Sequence, residues 1–295
     1  MASIETHTKT HAIIRKPRDR DIDVFGLTHR GNVRPDNQDH FLIASLAKQM
    51  VVDRTSLPAD AQLPVDPERI ASLAMVADGV GSGGGGEEAS RLAVLAVTQY
   101  VAQSTRAFYA ADPDDPNAFT QVLCDAALRC HANLVELAER DAEQKRYATT
   151  LTLWLGLWPQ AYLLQVGDSR GYMYHNGELT QISRDQTIAQ ELADQGILER
   201  ADISTSPLSH VLSSAIGGSQ AAPVVTRITR DWGTVVLLCS DGLTKHVPDH
   251  RIAERLASLT SSEQTCRELL QDALEDGGSD NVTMIIGRTI RPTDG

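Results

Sequence analysis

Apolar residues recur along this chain with two spacings, and the changes from one to the other divide it into elements. Short apolar or alternating runs, the mark of strands, occupy residues 22–29 (IDVFGLTH), 40–46 (HFLIASL) and 73–77 (LAMVA). A spacing of three to four, the mark of a helix with one buried face, then takes over. Leu92, Leu95, Ala96 and Tyr100 share a stripe between Glu87 and about residue 109. Leu123, Ala127, Leu134 and Leu137 share another between about 118 and 144, with DPDDPN (112–117) breaking the first helix and capping the second. Residues 148–158, 160–166, 171–175 and 178–182 return to strand patterning, and His175-Asn176-Gly177-Glu178 carries the Asn-Gly signal of a tight hairpin. Residues 186–200 read as helix and 201–222 as irregular. The run 234–242 (TVVLLCSDG) is a buried strand ending at an aspartate, helices follow near 249–259 and 262–275, and 282–290 is the last strand.

Strands in runs, a helix pair, more strands and a second helix pair argue for an α+β fold with largely antiparallel sheets. The alternating βαβ order of a doubly wound parallel fold is missing. Residues 47–72 hold Pro58, Pro64 and Pro67 with little periodicity, so most of them read as a surface insertion with room for a short hairpin or helix.

Composition narrows the class. The 295 residues are 41% hydrophobic and 22% charged, enough for one large core or two modest ones. No run of 18 apolar residues predicts a transmembrane helix. Residues 1–20 lack an apolar signal core and read as a mobile, mildly basic tail, so a cytoplasmic location is expected rather than secretion. The formal net charge of −12 disfavours nucleic acid as a partner. Cys124, Cys130, Cys239 and Cys266 form no CxxC pair and read as reduced, mostly buried thiols, not zinc ligands.

The chemistry starts at residues 73–89, LAMVADGVGSGGGGEEA. An apolar strand delivers Asp78 into a loop with six glycines between Gly79 and Gly86, and Glu87 and Glu88 then suit a helix N-terminus. No Lys follows the glycines, so the Walker phosphate loop is excluded. Alone, this is an ordinary strand-to-helix connection. The arrangement recurs, however. Asp168 follows YLLQVG, Asp241 follows VVLLCS, Asp280 precedes the last strand in GGSDN, and Asp39 precedes HFLIASL. Each Asp alone has a plain turn explanation. Carboxylates gathered at one sheet edge repel one another and call for a cation. Oxygen ligands suit Mg²⁺ or Mn²⁺, and the lack of a His or Cys set argues against zinc.

RPDNQD, VADGVG, VGDSRGY, SDGL and GGSDNVT occur in the order and setting of the metal-dependent serine/threonine phosphatases of the protein phosphatase 2C type, and the chain resembles their compact bacterial branch from about residue 22 to 289. The resemblance implies a four-layer α-β-β-α sandwich, two central antiparallel sheets flanked by helix pairs. It implies one catalytic domain over 21–290, with the 47–72 insertion, a flap over 184–218 and a C-terminal tail from 291 to 295. The implied activity is hydrolysis of phosphoserine and phosphothreonine in proteins at a binuclear Mn²⁺ or Mg²⁺ centre, opposing a Ser/Thr kinase, in a monomer with no membrane partner. By motif, Asp78 would bridge both ions, the Gly79 carbonyl would ligate one, and Asp241 and Asp280 would bind the other. Asp39 would act mainly through water, Arg34 would bind the substrate phosphate, and Asp168 would hold a third, weaker ion.

Three residues depart from the family pattern. Gln38 stands where relatives usually carry Glu, Val80 where animal relatives carry a proposed general-acid His, and Gln186 where a His is common. Gln38 leaves open a second class of function, a catalytically weak or dead phosphatase fold serving as a phosphoprotein-binding or scaffold module. A Ca²⁺-binding structural protein is remote, because the EF-hand spacing is absent.

Overall fold

The computed structural model describes residues 15–49, 67–81, 84–104, 116–142 and 145–291, together with Val51, Val52, Arg54, Ser56 and Pro58. Its strands are β1 (Ile22–His29), β2 (Asp39–Lys48), β3 (Glu68–Val80), β4 (Ala148–Thr149), β5 (Leu151–Leu157), β6 (Gln160–Val166), β7 (Arg170–His175), β8 (Glu178–Gln181), β9 (Val224–Thr229), β10 (Val235–Cys239) and β11 (Val282–Thr289). Its helices are α1 (Gly85–Gln103), α2 (Pro116–Arg140), α3 (Ile188–Asp194), α4 (Asp241–Thr244), α5 (Asp249–Ala257) and α6 (Ser262–Glu275).

The strands form two antiparallel sheets, ordered β1-β11-β10-β7-β8 and β2-β3-β5-β6-β9, with β4 pairing β3 beyond the second. Central strands are apolar on both faces because both faces are covered. In β3, Leu73, Met75 and Ala77 pack with Ala89, Ala93 and Val97 of α1 and with Leu123 and Ala127 of α2. Val76, from the other face, joins Trp154, Leu163, Val236, Leu238 and Ile285 between the sheets. In β10, Val235, Leu237 and Cys239 point outward to Ile252 and Leu256 of α5 and to Cys266 and Leu269 of α6. The result is the expected four layers, helices outside and two sheets within.

The elements largely follow the sequence pattern, with several differences. Leu95, placed on the buried stripe of the first helix, is exposed, and the strand expected over 234–242 ends at Cys239, with a helical turn beginning at Asp241. Strand β3 begins at Glu68 and β2 runs to Lys48, so the expected 47–72 insertion is shorter at both ends, and most of 49–66 lies outside the described residues. Asp78 and Gly79 are inside β3, not in a loop after it. The helix expected over 186–200 is only Ile188–Asp194, ending where Gly196 takes a positive φ of 72°. Strand β9 was not anticipated: as a partly exposed edge strand in VVTRIT, it lacks a clean apolar face. The expected hairpin is present, with His175 paired to Glu178 and positive φ at Asn176 and Gly177.

Cys130, Cys239 and Cys266 are buried, and the four cysteines are free. No helix among the described residues is long and apolar enough to cross a membrane. Residues 1–14 and 292–295 lie outside the described residues. Residues 15–20 meet the second sheet: Arg69 donates to the Pro17 carbonyl at 3.2 Å and pairs with Asp19.

Candidate metal centre

Both sheets present their aspartates at one end of the sandwich. Asp39 opens β2 and is the register partner of Asp78 on β3, so two carboxylates sit side by side on one sheet. Asp78 is fixed through its backbone: its N–H donates to Thr150 Oγ1 at 3.0 Å, and its carbonyl accepts from Thr150 N and Thr149 Oγ1. The other sheet supplies Asp241, following β10, and Asp280, preceding β11. Ser240 ties these two strand ends together, because its N–H donates to the Thr283 carbonyl at 2.9 Å and its Oγ accepts from Thr283 N at 3.0 Å. Asp168 lies in the turn where the chain crosses from β6 to β7, and Arg34 in the turn where it crosses from β1 to β2.

These elements meet through close backbone contact. A Cβ on Gly79 would lie 2.3 Å from the Gly86 carbonyl oxygen, and one on Gly242 would lie 1.9 Å from that of Asn281. Side chains could not fit at either place. Asn281 then holds the Arg34 turn. Its Oδ1 accepts from Gln38 N, and its Nδ2 donates to the Arg30 and Asp36 carbonyls, all at 2.9 Å.

The cleft has two adjoining lobes of about 640 and 730 Å³. Arg34, Asp168, Asp241, Lys245, Asp280 and His210 line both. His210 and Leu212 come from the expected flap, so that segment does border the carboxylates. Gln186 ties the flap down: its Oε1 accepts from Gly167 N at 2.8 Å and its Nε2 donates to the Ala222 carbonyl at 2.9 Å. Arg170 and Asp185 add a two-pronged ion pair at its start.

Electrostatics mark the acidic end. Burial, then the charges of Asp39 and Asp241, lift Asp78 well above the carboxylate range. Burial raises Asp39 to about 6, and the charge of Asp241 adds to the rise. Burial and Asp241 raise Asp168 to about 8. Asp280 goes the other way. Burial lifts it, but hydrogen bonds from Arg34 and Lys245 outweigh burial and hold it low.

Two cations already stand on these carboxylates. Arg34 bonds Asp280 with both prongs, Nε to Oδ1 at 2.7 Å and Nη2 to Oδ2 at 2.9 Å. Lys245 Nζ bonds Asp241 Oδ2 at 2.6 Å and Asp280 Oδ2 at 2.7 Å. Consistent with that, no three His, Cys, Asp or Glu side chains among the described residues form a ready metal cage. Three buried carboxylate oxygens nevertheless lack any hydrogen-bond partner: both of Asp39 and Oδ1 of Asp241. Orphaned anionic oxygens in an all-oxygen cluster fit a hard divalent cation.

All seven residues singled out in the sequence therefore gather at one end of the sandwich. Lys245, Asn281 and His210 were missed. Only Asn281 lay inside a quoted motif, GGSDNVT; Lys245 carries the one local signal available, a Lys four residues after a candidate ligand.

Residues 54–277 match the family described as protein phosphatase 2C. The serine/threonine protein phosphatase PstP of Mycobacterium tuberculosis is 32% identical over 221 residues, 75% of this chain and 41% of the relative. The chain thus spans less than half the length of that relative. The crystal structure of the M. tuberculosis phosphatase PstP/Ppp superposes with a TM-score of 0.71 at 26% identity, covering 92% of this chain and 99% of that one. A structure of the PstP catalytic domain in complex with two manganese ions gives a TM-score of 0.68 at 26% identity, with the same coverage.

Proposed function

The chain belongs to the protein phosphatase 2C family, and from that premise we propose that it hydrolyses phosphoserine and phosphothreonine in proteins, with Mn²⁺ or Mg²⁺ as cofactor. The observation that carries the proposal is the cluster of aspartates from both sheets: Asp78, Asp168, Asp241 and Asp280 line a cleft that also holds Arg34, and Asp39 is buried beside Asp78. Asp78 and Asp39 on one sheet, with the Gly79 carbonyl, and Asp241 and Asp280 on the other are the residues that would hold two ions. Asp168 would hold a third. Two bound divalent cations supply Lewis acidity, activating a water and offsetting phosphoryl charge.

The chain's own groups do the rest. The planar guanidinium of Arg34, half exposed at the cleft, can release Asp280 and grip two phosphoryl oxygens. Water attacks phosphorus in line, and the P–O bond to the Ser or Thr oxygen breaks, giving inorganic phosphate and the free hydroxyl. Val80 lines the cleft without a proton to give, so the leaving oxygen takes its proton from water or from another group at the cleft. Asn281 and Gln186 position the Arg34 turn and the flap. The substrates are phosphoproteins made by a Ser/Thr kinase, met by a cytoplasmic monomer.

The test is phosphate release from p-nitrophenyl phosphate and from a phosphothreonine peptide. Release is expected with Mn²⁺ or Mg²⁺, abolished by EDTA and restored by metal. No release from either substrate with either metal would overturn the proposal in favour of a non-catalytic binding module.

A further inference from the structure

Asp241 opens a helical turn and Lys245 caps it, so their side chains share one face four residues apart. The lysine side chain is 24% exposed and lodged between two acidic groups rather than extended into solvent. Its Nζ lies 2.6 Å from Asp241 Oδ2 and 2.7 Å from Asp280 Oδ2. A single ammonium thus links two carboxylates that come from different strand ends, the task otherwise left to a bound cation. Arg34 adds to the neutralisation of Asp280, its Nη2 sharing Oδ2 with the lysine and its Nε taking Oδ1. Asp241 Oδ1 stays buried without a partner, so the ammonium satisfies the pair only in part.

We propose that Lys245 is a tethered counter-cation of the Asp241–Asp280 pair, which a divalent ion must displace in order to bind there. This rests on Asp241 and Asp280 being metal ligands. Because the competitor is covalently attached, its effective concentration is high and dilution does not remove it. The site therefore binds metal by exchange, and its affinity is set by how much better a divalent ion serves the two carboxylates than the ammonium does. Metal-free protein keeps a neutralised pair in the meantime.

The experiment is a calorimetric Mn²⁺ titration of the metal-stripped full chain, with thermal unfolding of each protein measured with and without Mn²⁺. Lys245→Met and Lys245→Gln remove the charge, Lys245→Arg keeps it, and Asp241→Asn tests the underlying assignment. The two neutral variants should bind Mn²⁺ about tenfold tighter or more, the scale of one close charge–charge contact removed. They should also melt at lower temperature without metal and recover when it is added. Lys245→Arg should stay near wild type. Unchanged or weaker Mn²⁺ binding in the neutral variants, while Asp241→Asn loses an ion, would overturn the tethered-cation role alone. Unchanged Mn²⁺ binding in Asp241→Asn would overturn the ligand assignment, and the proposal with it.

Discussion

Asp39 and Asp168 illustrate what a single side chain contributes here. Their folded values, about 6 and about 8, lie above the ordinary carboxylate value of 3.8. Each therefore binds its proton more tightly in the folded chain than in the unfolded one. Between those values the folded state holds extra protons, so stability is lost as pH rises. Asp280, held low by Arg34 and Lys245, acts in the opposite sense, but only below 3.8. Metal-free protein should accordingly melt at lower temperature as pH rises from about 4 to about 8, with the fall largely removed by Mn²⁺. A flat profile without metal, read by calorimetry, would contradict this. Asp78→Asn should abolish turnover at saturating Mn²⁺, checked by steady-state kinetics. Asp168→Asn should leave binding of the two core ions intact and lower kcat about 10- to 1000-fold, or ~1.4–4 kcal/mol of barrier. Full activity would return Asp168 to the role of a plain turn residue. The aspartates could be read from the sequence because each follows or precedes an apolar strand. The bonds of Lys245 to Asp280 and of Asn281 to the Arg34 turn could not, since they join residues 35 and about 250 positions apart.

At the scale of elements, backbone proximity at two glycines brings the strand ends together. Gly242, the second residue of α4, lies against Asn281 just before β11, with no room for a methyl beside the Asn281 carbonyl. Gly242→Ala should push α4 from β11, separate Asp241 from Asp280 and cost about 1–3 kcal/mol as an overpacked site. Chemical denaturation and Mn²⁺ titration should show both losses together; wild-type stability would mean the contact yields easily. The same scale explains what the pattern hid. Central strands such as β10 are buried on both faces and read as unbroken apolar runs. Strand β9 is an edge with exposed and half-buried positions, so it gave no such run. The flap holds only a short α-helix and one 3₁₀ turn, Arg200–Asp202, because its order comes from tertiary ties: Gln186 to Gly167 and Ala222, and Gly217 N–H to His131 Nδ1 at 3.0 Å. His131 alone on a helix gave no hint of that partner.

For the whole molecule, the fold was legible because a strand-rich chain with two helix pairs can bury its apolar faces in few ways, and layering helices outside two sheets is one of them. Mn²⁺ at about 100 times its Kd should raise stability by about 2.7 kcal/mol, seen as a higher Tm that EDTA reverses. The division of the carboxylates between the sheets has a mechanical consequence. Asp39 and Asp78 ride on one leaf of the sandwich, Asp241 and Asp280 on the other. Like charges facing each other across a seam act as a wedge that prises the leaves apart at that end, while the apolar filling between them resists. Cations, tethered or bound, are the latch. Mobile ions in solution weaken the wedge far less than a bound cation does, since salt screens exposed charges much more than buried ones. Metal-free protein should therefore respond little to potassium chloride but gain thermal stability on addition of Mn²⁺, and backbone amides at the ends of β3 and β10 should exchange fastest when no metal holds the seam closed.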